Sequence, residues 1–217
     1  MTLFQIRIIA EIVIVFKLAV GLVGVRKWKQ LTRPLRLLDV YILFGIAISI
    51  VEGVMAFNNI RNLWVIHLNR VVELLFYSCI YFLWRPGKRY GQFLWSAYFV
   101  YLIIWIIGKF TFEPFYYFDV YSGSVSQIIQ IGFGGWLLYT ISQEHSLEWN
   151  KDYRFLVVSG IILYAVAVFF ITISFNIMLT LPRPLMRTIW MSNSFFQAIL
   201  YIFFLRGFLC KMPVPSK

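Results

Sequence analysis

Charged residues are scarce in this chain, and so are the residue types that usually bind metals. Of its 217 residues, 13% are charged and 61% are hydrophobic. A soluble domain has about 25% charged residues and about 45–50% apolar ones. There are only two histidines and two cysteines. This composition excludes an ordinary soluble domain and is typical of an integral membrane protein.

The shortage of histidine excludes several kinds of metal chemistry. Only His67 lies in an apolar stretch, so a zinc site built from several histidines cannot form within the membrane. The Glu-x-x-His pairs of a di-iron bundle are also missing. Glu11, Glu52 and Glu73 could surround one ion together with His67, but Arg70 would repel a cation there. We therefore predict no metal site.

Cofactor signals are missing as well. Cys79 and Cys210 fit neither a disulfide nor a metal-binding pattern, and we predict that both are free thiols. A retinal protein needs a lysine in its last span to form the Schiff base, and the last span here has none. The sequence therefore leaves the cofactor unknown.

Seven apolar stretches of membrane-spanning length follow one another along the chain. They cover residues 4–25, 38–57, 64–84, 92–112, 124–143, 154–179 and 187–206. Polar residues interrupt the third, so a six-span interpretation stays open. All seven prolines fall in the predicted connections or the tail. The connections are too short for another domain, and we predict one all-α bundle of seven transmembrane helices over residues 1–217.

Lysine and arginine are concentrated in alternate connections. Most of them lie in the first, third and fifth connections and in the C-terminal tail. By the positive-inside rule, the N-terminus is then outside and the C-terminus in the cytoplasm. The net charge of +11 thus indicates orientation and contact with anionic lipid, and we expect no nucleic-acid partner. We expect a multi-pass protein of the bacterial cytoplasmic (inner) membrane.

Ionisable residues inside the spans are the most informative feature. Each costs roughly 2.5–3.5 kcal/mol at a helix centre, so we expect them to pair inside the bundle. His67, Arg70 and Glu73 are three residues apart and share one face of a helix. The candidate polar network, placed by the predicted topology in the outer half, is Arg7, Glu11, Glu52, His67, Arg70, Glu73, Gln127, Gln130, Asn193 and Gln197.

This network has two interpretations. It can line a polar cavity that opens outward, or its ion pairs and hydrogen bonds can fix the register of the helices. The aromatic and acidic connection at residues 112–121 either covers the cavity mouth or forms an interfacial aromatic belt. Lys17 and Asp39 are expected to lie deeper, in the inner half.

One short pattern carries a family resemblance. Asn62-x-Trp64-x-x-His67, followed by Glu73 and an apolar run, resembles a pattern in uncharacterised bacterial seven-helix membrane proteins. The resemblance implies a seven-helix fold in which His67 and Glu73 matter, and it implies no established activity.

The leading functional hypothesis is a non-enzymatic, sensor-like or accessory subunit. Its outer cavity would take a small ligand, a lipid or a partner helix. Because the connections are short, we expect any signal to pass to a protein partner in the membrane or cytoplasm. The alternative is a small transporter or channel component with an ion or proton relay through Glu52, Glu73, Arg70 and His67. A membrane enzyme ranks third.

Overall fold

A computed structural model describes residues 3–144 and 151–210 of the chain, with side chains described at all of these except 3–10, 187 and 190. The described residues form helices and no β-strand, which confirms the all-α class. In chain order the helices are α1 (Leu3–Arg26), α2 (Arg33–Phe57), α3 (Leu63–Trp84), α4 (Lys88–Thr111), α5 (Val120–Ser142), α6 (Tyr153–Ile173), α7 (Phe175–Met178) and α8 (Arg183–Leu209).

Five helices in the described part of the chain are long and apolar enough to cross a membrane. They are α2, α3, α4, α6 and α8, and they support a membrane protein. Helices α1 and α5 have similar lengths, 24 and 23 residues. The count of seven spans and the orientation of the termini stay predictions. The third apolar stretch, the weakest in the sequence, is among these five helices.

Six of the long helices form a closed ring. Each contacts the next in the order α1, α2, α3, α5, α6 and α8, and α8 contacts α1 again. Helix α4 packs outside the ring against α3 and α5. Its outer face carries exposed apolar side chains such as Phe99 and Ile103, as contact with acyl chains would require. The centre of the ring is therefore the place where polar side chains can avoid lipid.

The sixth apolar stretch is shorter than predicted. Helix α6 ends at Ile173, and the single turn α7 follows after Ser174, whereas the predicted span runs to residue 179. Thr172, Ser174 and Asn176 explain the early end, because such side chains compete with the backbone for hydrogen bonds and disfavour helix interiors.

The prediction that all prolines lie in connections is wrong at two positions. Pro34 and Pro184 lie in the first turns of α2 and α8. The N–H groups of a first helical turn have no partner within the helix, so a proline there removes no helical hydrogen bond. Its fixed φ also favours the start of a helix. Cys79 and Cys210 are free thiols, as predicted.

Candidate functional site

A cavity of about 130 Å³, here called the central cavity, lies within the ring of helices. Five of the six ring helices contribute to its wall. Its ionisable lining residues other than tyrosine are Lys17 from α1, Glu52 from α2, and Arg70 and Glu73 from α3. The other polar residues of the wall are Tyr41, Ser49, Asn69, Tyr164, Gln197 and Tyr201. Such a wall can hydrogen-bond a polar molecule on most sides.

Helix α2 leaves space for the Lys17 ammonium and supplies its hydrogen-bond acceptor. Gly45, Ser49 and Glu52 are four and three residues apart, so they share one face of α2. A Cβ at Gly45 would lie 2.7 Å from Nζ of Lys17, so the absence of a side chain there makes room for the ammonium. Lys17 Nζ donates to Ser49 Oγ at 3.3 Å, and Ser49 Oγ donates to the Gly45 carbonyl at 2.9 Å.

Arg70 lies between two carboxylates. Its Nη1 donates to Oε2 of Glu73 at 3.1 Å, and its Nε is 3.5 Å from Oδ2 of Asp119. All three side chains are nearly buried, with exposed fractions of 11%, 4% and 1%. Asp119 immediately precedes α5, so this ion triplet joins α3 to the start of α5. Within the triplet, two negative charges face one positive charge.

A second group of buried polar side chains, here called the lysine cluster, consists of Lys109, His67, Glu113 and Ser122. Lys109 Nζ lies 3.0 Å from Oε2 of Glu113, 2.6 Å from Nδ1 of His67 and 3.3 Å from Oγ of Ser122. All four residues are buried. The cluster joins α3, α4, α5 and the connection between α4 and α5.

The hydrogen bonds of His67 determine its tautomer. Nε2 lies 2.9 Å from the carbonyl oxygen of Tyr117, which can only accept, so Nε2 carries the proton. Nδ1 is then free to accept from the Lys109 ammonium. His67 is therefore a neutral imidazole that links the α4–α5 connection to a buried cation.

The α4–α5 connection faces in two directions. Glu113 accepts the backbone N–H of Tyr121 at 2.7 Å and that of Ser122 at 3.3 Å, and it also accepts the Ser122 hydroxyl. Tyr116 and Tyr117 point away and are 59% exposed. The connection thus has an aromatic surface and a polar underside anchored in the lysine cluster. No residue of this connection is in the described lining of the central cavity, so its role as a cover of the cavity mouth stays a prediction.

The structure divides the predicted polar network among several places. Glu52, Arg70, Glu73 and Gln197 line the central cavity, and His67 belongs to the lysine cluster. The other described residues of the network are not part of the cavity wall. Gln127 and Gln130 are buried on α5, and Asn193 is partly buried on α8. Glu11 is exposed on α1, and the side chain of Arg7 lies outside the described residues.

The position of Gln127 and Gln130 follows from the packing of α5. Both lie on the same helical face as Gly134, and a Cβ at Gly134 would be 2.9 Å from the Tyr81 hydroxyl and 2.9 Å from Ile162. This face is therefore pressed between α3 and α6. Gln130 Nε2 donates to Ser126 Oγ at 3.3 Å, a bond within α5 itself.

Several residues of the site are absent from the sequence-based set. They are Lys17, Lys109, Glu113, Asp119 and Ser122. Lys109 and Glu113 could have been identified from their spacing, because they are four residues apart at the end of an apolar stretch. Lys17 was expected deeper in the membrane, but Ser49 and Glu52 approach it from α2 and bring it to the cavity.

Polar groups continue beyond the cavity along α3. Tyr77 and Tyr81 follow Glu73 at intervals of four residues and are almost completely buried. Among the described residues, the Tyr81 hydroxyl has no hydrogen-bond partner, whereas the Tyr77 hydroxyl interacts with that of Tyr41 in the cavity wall. Asp39 on α2 is also buried, and it packs against Gly24 of α1. Its two carboxylate oxygens have no hydrogen-bond partner among the described residues.

The described residues contain no group of three or more histidine, cysteine, aspartate or glutamate side chains that could hold a metal ion. No protein-family model, no curated protein and no solved structure matches the chain.

Proposed function

We propose that this chain is a non-enzymatic integral membrane protein that binds a small polar molecule in the central cavity. It acts as a sensor-like or accessory subunit. The observation that supports this most directly is the convergence of Lys17, Glu52 and the Arg70–Glu73 pair from three helices on one space. Burying charge in a membrane is costly, so a charged cavity is retained where it has a use.

Fixing the register of the helices explains only part of this arrangement. Ion pairs that hold helices together have to be in contact, as Arg70 of α3 and Asp119 at the start of α5 are. Lys17 and Glu52 both line the cavity, yet neither forms an ion pair within 4.0 Å in the described part of the chain. These two charges are available to a molecule in the cavity.

The proposed orientation places the cavity toward the outside of a bacterial cytoplasmic membrane. Glu52 lies near the C-terminal end of α2, and Arg70 lies near the N-terminal end of α3. The basic connections at residues 26–36 and 85–89 lie at the opposite ends of these helices. By the positive-inside rule the basic ends face the cytoplasm, and the cavity is then in the outer half.

A signal from the cavity would have to reach another chain. The connection between α1 and α2 comprises residues 27–32, and the other connections that the structure describes are similarly short. They are too short to form a folded output domain. A protein partner in the membrane or at its inner surface is therefore part of the proposal.

One observation favours a second candidate, a proton or ion relay. Glu73, Tyr77 and Tyr81 lie along one face of α3 and cover about 12 Å of its axis. A tyrosine hydroxyl can both donate and accept a hydrogen bond, so it can take part in proton transfer. The central cavity would then be the outer entrance of such a relay.

Accessibility of the cavity tests the proposal. Ile48 lines it, and Ile48→Cys would report on access without changing a polar group. In a variant without Cys79 and Cys210, we expect a membrane-impermeant thiol reagent added from outside to label Ile48→Cys. The matched control is Ile42→Cys on the same helix, which is fully buried in the core and should stay unlabelled. If Ile48→Cys also stays unlabelled, an outward-facing cavity is ruled out.

A further inference from the structure

Lys17 faces the central cavity with hydrogen-bonding capacity to spare. The residue is 7% exposed, and an ammonium has three donors. One donor is used by Ser49 Oγ at 3.3 Å, a long bond to a neutral acceptor. Its only hydrogen bond among the described residues is to a hydroxyl, and the carboxylates of Glu52 and Glu73 act on its charge from beyond 4.0 Å, so an acceptor with negative charge in the cavity would bind it strongly.

Arg70 cannot play the same role. Its guanidinium already faces Glu73 at 3.1 Å and Asp119 at 3.5 Å. Two carboxylates more than compensate its charge, so a third anion would be repelled there. Lys17 is therefore the anion-binding side of the cavity.

Glu52 supplies the opposite side. It lines the same cavity from α2, three residues after Ser49, and it forms no ion pair among the described residues. Its carboxylate can accept hydrogen bonds from an ammonium group. A molecule that carries a carboxylate and an ammonium would satisfy Lys17 and Glu52 together, which neither a simple anion nor a simple cation can do.

The size of the cavity limits the occupant. Its volume is about 130 Å³. A protein cavity of about 150 Å³ is known to hold benzene, which has about six non-hydrogen atoms. A short amino acid of about five to seven such atoms has the right size by this comparison. A lipid headgroup with its chains, or a partner helix, is too large to enter.

We infer that the ligand of the central cavity is a small zwitterion, of the size of glycine or β-alanine. Its carboxylate contacts Lys17 and its ammonium contacts Glu52. The inference rests on the proposed function and adds the chemical class of the ligand to it.

Protection of Ile48→Cys from thiol labelling tests this chemistry. The probes are glycine, alanine and β-alanine, with acetate and methylammonium as the matched single charges. At ten times its dissociation constant, a zwitterion leaves about one site in eleven free, so labelling should slow roughly tenfold. We expect no slowing by acetate or methylammonium at the same concentration.

Lys17→Met and Glu52→Gln locate the two contacts. Each variant should lose the protection given by zwitterions while Ile48→Cys is still labelled, which shows that the cavity is intact. Lys88→Met, which removes an exposed lysine, should keep the protection.

The possible failures differ from one another. Equal protection by acetate or by methylammonium alone would overturn the inference in favour of a site for a single charge. Labelling that no zwitterion slows would also overturn it, yet it would leave an accessible cavity and so the proposed function. Absence of labelling in Ile48→Cys would remove the proposed function itself.

Discussion

Lys109 and His67 meet in the interior of the protein, with Nζ of the lysine 2.6 Å from Nδ1 of the imidazole. The contact joins α4, which lies outside the ring, to α3, which belongs to it. Since His67 also donates to the Tyr117 carbonyl at 2.9 Å, one neutral imidazole connects two helices and a connection. The lysine cluster is therefore a polar attachment of α4 and the residues after it to the ring, beside the apolar packing of Tyr98 and Tyr101.

The first prediction concerns the charge of Lys109. Lys109→Met leaves the Glu113 carboxylate buried without its cation, which should destabilise the protein by about 3–5 kcal/mol. The double variant Lys109→Met/Glu113→Gln removes both charges and should recover part of this loss. Thermal unfolding in detergent measures both effects, with the exposed Lys88→Met as the control. If Lys109→Met unfolds like the control, the ion pair contributes nothing to stability.

The second prediction uses the unequal charges around Arg70. Arg70→Met leaves Glu73 and Asp119 buried without the cation between them, whereas Glu73→Gln leaves Arg70 with Asp119. We therefore expect Arg70→Met to lower the melting temperature more than Glu73→Gln does. Adding Glu73→Gln to Arg70→Met should restore part of the stability, because a single carboxylate then remains. Equal effects of the two single variants would show that Asp119 is not coupled to Arg70.

The third prediction concerns the closest approach of α1 and α2. A Cβ at Gly24 would overlap Oδ1 of Asp39, which is not a sustainable contact. Gly24→Ala should therefore destabilise the protein by about 1–3 kcal/mol, as overpacking usually does. Asp39→Ala in the same chain should relieve the clash.

Gly132→Ala is the matched control for this prediction. A Cβ there meets no atom within 4 Å among the described residues. Since alanine favours a helix over glycine by up to about 1 kcal/mol, this variant should be neutral or slightly more stable. Melting temperatures in detergent compare the variants, and destabilisation by Gly132→Ala would contradict the packing of α5.

The sequence predicts the helices better than it predicts their polar contacts. Hydropathy follows from composition along the chain, so the all-α class and the approximate positions of the long helices can be read directly. Contacts between helices depend on rotation about each helix axis, which hydropathy does not encode. Gln127 and Gln197 are similar amides in two apolar stretches, yet one is pressed between helices and the other lines the cavity.

Glycines show the same limit. Gly132, Gly134 and Gly135 make this part of α5 a candidate for close packing. Only Gly134 of the three has close neighbours in the described structure, because it faces Tyr81 and Ile162. Asp119 was not assigned to the polar network, since it lies in an aromatic connection, and its pairing with Arg70 depends on how that connection folds back over α3.

The fourth prediction tests the proposed orientation. Ile60 is exposed in the connection between α2 and α3, and Lys88 is exposed at the start of α4. In sealed cells, Ile60→Cys should react with an impermeant thiol reagent added outside, and Lys88→Cys should react only after the membrane is opened. A reporter fused after Lys217 should be cytoplasmic. External labelling of Lys88→Cys would reverse or redraw the topology.

The last prediction separates a binding protein from a relay. Tyr77 and Tyr81 extend the polar face of α3 beyond Glu73, but their side chains are packed in the core and do not belong to the cavity wall. A relay needs an unbroken series of hydrogen bonds, and among the described residues the Tyr81 hydroxyl lacks a partner. We therefore expect purified protein in liposomes to show no proton flux above that of empty vesicles, as followed by an internal pH-sensitive dye. A protonophore added at the end shows that the vesicles are sealed. Flux that disappears in both Glu73→Gln and Tyr77→Phe would establish the relay and displace the binding protein as the leading function.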